Sequence, residues 1–479
     1  VMEPAMMMEQ SPLALLPELS FLAGAVATLL AGSFLPRQRQ WVARLIAVAA
    51  LLAAAVSAAL AFPSHQNGHF GGGDAETVFG AFVLDTATGV TRLVVVAAVL
   101  LVIGLGVDEL AGTARESETY TLLLLGGLGA IVLAATDDLL VLAVGFLLAS
   151  IPVYALVGMV RTPGAAEAAL KTYLLGALSG ILLLLGATVL SGIAGGTAYV
   201  DLAAGLALAP AAAVAVGALA VLAGLLFEAG GVPLHQWVPD ATQGAGTAAA
   251  AFLTTVPKIG ALVAAARLVD VLPGSLPWPL LVGLLAAATM TLANLAALAQ
   301  TDARRLLGWS TVSQVGYLLM PVAVVAGTSA AVPALLVYLA GYAVTNLTAF
   351  AVLAAVPGAR SLTDFRGLAR QRPGLAAALV ISLLSLVGTP PTAVFLGKLT
   401  VFTAAWDGGL AWLVVVAAVN TLVSLFYYLR WLVEAFRPGE PAPTAGWARA
   451  AAVVGALGVL AVGLGAGLVT ALVGDGTLG

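Results

Sequence analysis

The fold is decided by residues 224–258, GLLFEAGGVPLHQWVPDATQGAGTAAAAFLTTVPK. The stretch opens as an apolar helix that contains Glu228. It breaks at Gly230-Gly231-Val232-Pro233 and continues through a short polar passage holding His235, Trp237 and Asp240. A second apolar helix starts near Gly246 and carries Lys258 behind Pro257. Backbone groups freed by Gly and Pro are tolerated at membrane depth only inside protein or beside a wet cavity. An ionisable residue inside a span marks a functional site by default.

Working outward, the solvent is lipid. The 479 residues are 61% hydrophobic and 9% charged, with mean hydropathy +1.09. A soluble domain is about 25% charged. Apolar runs near the roughly 20 residues of a spanning helix recur from end to end. About fourteen spans are expected, near 12–34, 41–62, 82–106, 119–136, 139–160, 168–194, 208–229, 246–270, 278–300, 307–326, 331–356, 375–397, 409–434 and 449–473. No polar segment is long enough for a soluble domain, and the longest expected loops are Pro63–Val78 and Gly358–Gly374. The first ten residues lack a basic region and a small-residue cleavage site, so the first span is read as retained. The chain has no cysteine, which excludes disulfides and cysteine-ligated iron–sulfur clusters.

The basic residues orient the spans. With the N-terminus outside, the inner loops hold Arg37, Arg39, Arg44, Arg115, Arg161, Lys171, Arg304, Arg305, Arg360, Arg366, Arg370, Arg372, Arg430, Arg437 and Arg449. Arg267 lies near one outer end and Arg92 within the third span. Such a positive-inside bias puts both termini outside, on the periplasmic side of a cell inner membrane. Lys258 and Lys398 are left inside spans. Lys398 follows a second interruption, Gly388-Thr389-Pro390-Pro391. Paired interrupted helices in the two halves of a membrane protein mark an internal repeat with an ion site near the midplane.

These segments resemble subunit N (subunit 2) of the antiporter-like subunits of proton-pumping respiratory complex I. Pro233-Leu234-His235-Gln236-Trp237-Val238-Pro239-Asp240 is similar to the family's P-F-H-x-W-x-P-D. Glu167-Ala168-Ala169-Leu170-Lys171 resembles E-A-A-L-K, and Arg304 to Ser310 resembles K-R-L-L-A-Y-S. Gly388 to Ala393 with Gly397-Lys398 resembles G-I-P-P-T-x-G-F-x-G-K. The resemblance covers roughly residues 85–435. It implies an all-α polytopic fold with two inverted five-helix repeats, spans four to eight and nine to thirteen. It divides the chain into 1–117, 118–273, 274–436 and 437–479.

The resemblance also implies a membrane-arm subunit of an NADH:quinone oxidoreductase, a proton translocase. Its neighbours are other membrane-arm subunits and lipid, with no nucleic acid. No cofactor is expected on this chain; flavin, iron–sulfur clusters, NADH and quinone belong to partner subunits. Proton translocation falls to Glu228, Lys258, Lys398, His235 and Lys171. A non-conducting structural subunit and a cation/proton antiporter subunit of the same fold are the alternatives.

The chain departs from the family at two positions. The family's glutamate on the fifth span is replaced by Leu147, and its lysine on the seventh span by Glu228. Its Y-E-G loop reads Thr242-Gln243-Gly244. A carboxylate within about 4–6 Å keeps a buried lysine charged, and burial opposes that. Without a carboxylate at 147 the family's Glu–Lys switch cannot run. Glu228 either binds the proton itself or holds Lys258 charged, and spacing leaves both open. The alternative is a neutral, hydrogen-bonded glutamate in a scaffold.

Simpler roles are expected elsewhere. Glu167 and Lys171 form an i,i+4 helix pair. Asp85 and Arg92 read as a structural polar pair on the third span. Asp137-Asp138 reads as capping and ending the fifth span at the outer surface. Tyr427, Tyr428 and Trp431 read as an interface belt.

Overall fold

A computed structural model describes residues 12–65, 76–439 and 443–474. Lipid offers no hydrogen bonds, so the backbone pairs within its own segments and the chain is helical throughout. The first helices are α1 (Leu16–Phe34), α2 (Trp41–His65), α3 (Thr86–Leu110), α4 (Glu116–Ala135), α5 (Leu139–Gly158), α6 (Pro163–Ala194) and α7 (Tyr199–Leu206). The middle of the chain forms α8 (Ala211–Ala229), α9 (Trp237–Gly244), α10 (Thr247–Leu253), α11 (Val256–Val271), α12 (Trp278–Leu298), α13 (Ala303–Ala323) and α14 (Ala331–Ala355). The remainder forms α15 (Leu368–Gln371), α16 (Pro373–Val387), α17 (Ala393–Asp407), α18 (Ala411–Phe436), α19 (Gly446–Leu464) and α20 (Ala466–Val473).

Twelve stretches among the described residues are long and apolar enough to cross a membrane. Two more complete the fourteen. The 21-residue α13 carries Arg304, Arg305, Ser310, Thr311, Ser313 and Gln314, too polar a set to count as apolar. The other is the pair α16 and α17, each only 15 residues, which make one interrupted span.

Spans five to seven and ten to twelve share matching features. Asp138 caps the start of α5 through Leu140 and Val141 N–H, and Asp302 caps α13 through Arg305 N–H. Each capping residue forms an antiparallel bridge to the chain after the next span, Asp138 with Ala198 and Asp302 with Ser361. Each seventh-type span then stops at a left-handed glycine, Gly230 (φ 80°) after α8 and Gly388 (φ 93°) after α16. Asp302 neighbours the basic Arg304-Arg305 end, while Asp138 lies at the arginine-poor end beside a small antiparallel hairpin, β1 (Glu76–Val78) and β2 (Phe82–Leu84). The two repeats are therefore inverted.

Small residues let helices meet at backbone distance. A Cβ on Gly129 of α4 would stand 2.2 Å from Ala149 N of α5, and one on Gly316 of α13 2.6 Å from Met290 N of α12.

Several expectations are corrected. The eighth span is not continuous: α10 and α11 are separated at Thr254-Thr255, because Thr255 leaves helical geometry ahead of Val256-Pro257. The twelfth span extends to Asp407 rather than 397. Asp85 and Arg92 do not pair with each other. Asp85 precedes α3 as its cap and binds Arg267 at 2.8 Å, while Arg92, two turns on, binds Glu18 at 2.8 Å. Asp138 caps the beginning of the fifth span and does not end it. Tyr427, Tyr428 and Trp431 form no interface belt; all three are at most 1% exposed. Their face of α18 turns inward, where Tyr428 meets Ser310 and Tyr427 meets Asn294.

Neither expected long loop is plain loop. Most of Pro63–Val78 lies outside the described residues, but Pro63–His65 belongs to α2 and Glu76–Val78 to β1. Gly358–Gly374 contains a 3-10 turn, Leu362–Phe365, and α15.

Candidate functional site: two lysines at broken spans

The first half-site is built from α8, α5 and α11. At the end of α8, Gly230 and Gly231 N–H both bond back to Leu226 O, which closes the helix and leaves the Ala229 carbonyl without a helical donor. Lys258, in the first turn of α11, donates to that carbonyl at 2.9 Å. A helix C-terminus carries partial negative charge, so the cation is met by a matched dipole. The ammonium also lies 5.2 Å from the Trp237 ring centroid, and Trp237 is held by its indole N–H on Phe227 O at 3.0 Å. Gly230 has a positive φ that favours glycine, and a Cβ there would sit 2.8 Å from Val238 Cγ2 and 2.9 Å from Lys258 Nζ. Lys258 is fully buried and Glu228 is 2% exposed.

Glu228 makes no direct ion pair with Lys258 among the described residues. Its carboxylate accepts a hydrogen bond from Ser150 Oγ of α5 at 2.5 Å. Lys258 instead binds the carbonyl of the next residue, within electrostatic reach of Glu228. Leu147 lies on the outer side of α5 and is 42% exposed, so it faces away from this pair.

The second half-site is built from α16, α17, α18 and α13. Lys398 of α17 donates to Val387 O, the last carbonyl of α16, at 2.8 Å, and to Thr421 Oγ1 of α18 at 3.1 Å. It lies 4.2 Å from the Tyr317 ring centroid. A Cβ on Gly388 would stand 2.8 Å from Lys398 Cδ. No carboxylate contacts this lysine among the described residues.

Buried polar groups on α13 and α14 lie beside each half-site. Asn346 donates to Thr254 and Thr255 Oγ1 at 3.0 and 2.9 Å, beside the break that precedes Lys258. The Tyr342 hydroxyl reaches Thr254 O at 2.7 Å and Thr311 Oγ1 at 3.1 Å. On the same face of α13, Gln314 donates to Leu386 O at 3.0 Å, one residue before the carbonyl that holds Lys398. Tyr338 donates to Gln314 Oε1 at 2.5 Å. Buried polar groups must be paired, and much of the pairing here runs across the bundle, between helices.

His235 sits in the polar passage, 6% exposed, with its ring 5.6 Å from that of Trp309. Lys171 is apart from the other four residues. It is half exposed at the basic end and binds Glu167 at 2.7 Å and Asp240 at 3.0 Å. Arg305 completes that group on Asp240 at 2.6 Å, at the wall of a cavity of about 450 Å³ that Arg304, Arg360 and Glu109 also line. No group of three His, Asp or Glu side chains suited to a metal occurs among the described residues.

Ser150, Thr254, Thr311, Gln314, Tyr342 and Asn346 were not legible as site residues. Ser150 and Tyr342 are single polar residues in apolar runs, and the others lie in short polar pairs that give no sign of their partners. The one available signal was the unusually polar composition of α13.

Interrupted spans in inverted repeats, each closing on a buried lysine, define a class of polytopic antiporter-like membrane subunits. The chain belongs to the NADH:quinone oxidoreductase/Mrp antiporter transmembrane family, whose model matches residues 136–424. Among its relatives is NADH-quinone oxidoreductase subunit N of Mycobacterium sp. (strain JLS), 56% identical over 90% of each chain. NADH-quinone oxidoreductase subunit N 1 of Streptomyces griseus is 53% identical over 97% of this chain and 98% of the relative. A chain of respiratory complex I from Thermus thermophilus superimposes with TM-score 0.82 at 33% identity, over 96% of this chain and all of the other. A chain of the Mrp complex from Dietzia shares the fold at TM-score 0.85 and 24% identity, covering 98% and 96%.

Proposed function

We infer that this chain is a membrane-arm subunit of a complex I-type NADH:quinone oxidoreductase. In that assembly it moves protons through a mid-membrane polar axis and carries out no redox chemistry itself. The support is the pair of buried lysines, each seated on the carbonyl that a broken helix frees, with buried polar groups of α13 and α14 beside both. We assign proton transfer to Lys258 and Lys398, with Glu228 as the carboxylate of the first half and His235 in its polar passage. Lys171 belongs to the approach from the basic end. Flavin, iron–sulfur clusters, NADH and quinone are assigned to partner subunits.

The basic loops are assigned to the cytoplasmic side of the inner membrane, both termini to the other. The repeats are assigned to 118–273 and 274–436. Proton uptake per electron, measured on the reconstituted complex with Lys398→Met, tests the reading. A lower ratio with assembly intact is expected, and an unchanged ratio removes Lys398 from the path. A second reading, a non-conducting scaffold, is favoured by one observation: Glu228 bonds to Ser150 and not to Lys258. Glu228→Gln at the parental ratio would select it.

A further inference from the structure

We propose that Ser150 is the positioning residue of the first half-site: its hydroxyl, donated across from α5, fixes the Glu228 carboxyl. The proposal deepens the proton-transfer reading and rests on it for its functional consequence.

Three observations carry it. The first is where the hydroxyl points. Serine and threonine inside a helix commonly bond back to the carbonyl one turn earlier. Thr172, Thr188, Thr254 and Thr311 of this chain all do so. Ser150 does not. Its hydroxyl crosses from α5 to α8 and donates to Glu228 Oε2, with Ser150 1% and Glu228 2% exposed.

The second is the register. Phe146, one turn before Ser150, packs its ring 6.3 Å from that of Phe227, the neighbour of Glu228. An aromatic contact thus locks α5 against α8 at the height where the hydroxyl meets the carboxylate. Tyr154, one turn after Ser150, has its hydroxyl within electrostatic reach of both residues. Gly176 of α6 makes room for that phenol, since a Cβ there would stand 1.9 Å from Tyr154 Oη. Leu147 is turned outward, so a carboxylate placed at 147 would not reach the site.

The third is the internal repeat. Ser150 lies twelve residues after the capping Asp138, and Gln314 lies twelve residues after the capping Asp302. Glu228 and Leu386 each lie two residues before their left-handed glycine. The matched positions touch in both halves: Ser150 to Glu228, and Gln314 Nε2 to Leu386 O. The contact is an architectural feature of the repeat. In the second half an amide meets a neutral carbonyl. Only in the first half does it meet a group that can hold a proton.

A hydroxyl that donates to a carboxylate favours its charged form and fixes its orientation. The test uses the intact complex in reconstituted membranes, with Ser150→Ala, Ser150→Thr, Leu147→Glu/Ser150→Ala and Glu228→Gln. Infrared difference spectra isolate the Glu228 carboxyl band by its loss in Glu228→Gln. That band is expected to shift in Ser150→Ala and to return in Ser150→Thr. The acid limb of the pumping-versus-pH profile moves to higher pH in Ser150→Ala by about one unit, a tenfold change in proton affinity. Leu147→Glu does not restore it.

An unshifted carboxyl band in Ser150→Ala, or rescue by Leu147→Glu, overturns the proposal. A shifted band in Ser150→Ala together with normal pumping in Glu228→Gln has a different meaning. The positioning contact then stands, and the proton-transfer reading of Glu228 fails.

Discussion

Lys258 and Lys398 occupy the same kind of seat by different routes. Each ammonium caps the last carbonyl before a left-handed glycine, Ala229 O or Val387 O, and each lies near an aromatic face. Lys398 reaches a carbonyl of its own interrupted span, from α17 back to α16, and among the described residues adds the Thr421 hydroxyl. Lys258 reaches across from the eighth span to the seventh, where Glu228 lies one residue away. Burial penalises a charged lysine in either seat. One seat has a carboxyl within electrostatic reach to offset that penalty, and the other has dipoles alone. The difference teaches that the broken helix is the common device, and that the acid is an addition particular to one half.

The most damaging changes are at the lysines themselves. Lys258→Met and Lys398→Met keep chain length and remove the proton-binding atom, so each is expected to abolish this subunit's share of proton uptake while the complex still assembles. Uptake per electron in reconstituted vesicles checks both. If either variant pumps at the parental ratio, the two seats are not members of one path.

The next largest effect separates the halves. Glu228→Gln is expected to lower uptake less than Lys258→Met does. Combined with Lys258→Met it should cost less than the sum, because neighbours within one site couple. Combined with Lys398→Met it should be closer to additive. Equal coupling to both lysines would mean that the acid serves the whole axis and that the halves do not differ as described.

Much of this architecture was legible in the sequence. The two interruptions were readable because Gly-Gly-Val-Pro and Gly-Thr-Pro-Pro cannot continue a helix, and Lys258 and Lys398 because charge in an apolar run is costly. The Thr254-Thr255 break was missed because threonines in an apolar run carry no breaking signal; Pro257 alone marked it, and proline also suits a first helical turn. Tyr427, Tyr428 and Trp431 were misread because an aromatic cluster near a span end looks the same whether it faces headgroups or the bundle. Composition cannot tell which face of α18 turns inward. Ser150 was invisible for a related reason: its importance lies in a partner 78 positions away.

A smaller effect is expected at the glycines. Gly230→Ala and Gly388→Ala place a side chain at positive φ, at a cost of about 1–3 kcal/mol, and push against Lys258 Nζ or Lys398 Cδ respectively. The flexible lysine stem can shift, so both variants should assemble with a lowered temperature of inactivation. Gly230→Ala should also lower uptake more than Gly388→Ala, because its Cβ would meet the Lys258 ammonium as well as Val238 Cγ2, whereas that at 388 would meet methylenes of Lys398. Equal losses of uptake would show that both seats tolerate displacement alike.

The smallest effect lies at the basic end, where the first half opens toward the Arg304 cavity. Burial works to raise the Asp240 carboxyl, but hydrogen bonds from Lys171 and Arg305 outweigh it and hold the group below its ordinary value of 3.8. A depressed carboxyl contributes stability above its unfolded value and loses it as pH falls through the folded one. The clamp between α6, α9 and α13 is therefore complete at pH 7 and at pH 5. Its partners are partly exposed, Lys171 by 48% and Arg305 by 31%, so solvent screens the pairs and each contributes little. Asp240→Asn should raise amide exchange in α9 slightly and equally at the two pH values, with little change in proton uptake. Parental α9 that loosens between pH 7 and pH 5 would mean the carboxyl titrates at or above the ordinary range. A large loss of uptake in Asp240→Asn would instead place Asp240 with Lys171 on the proton path, and extend the asymmetry of the two halves to the membrane surface.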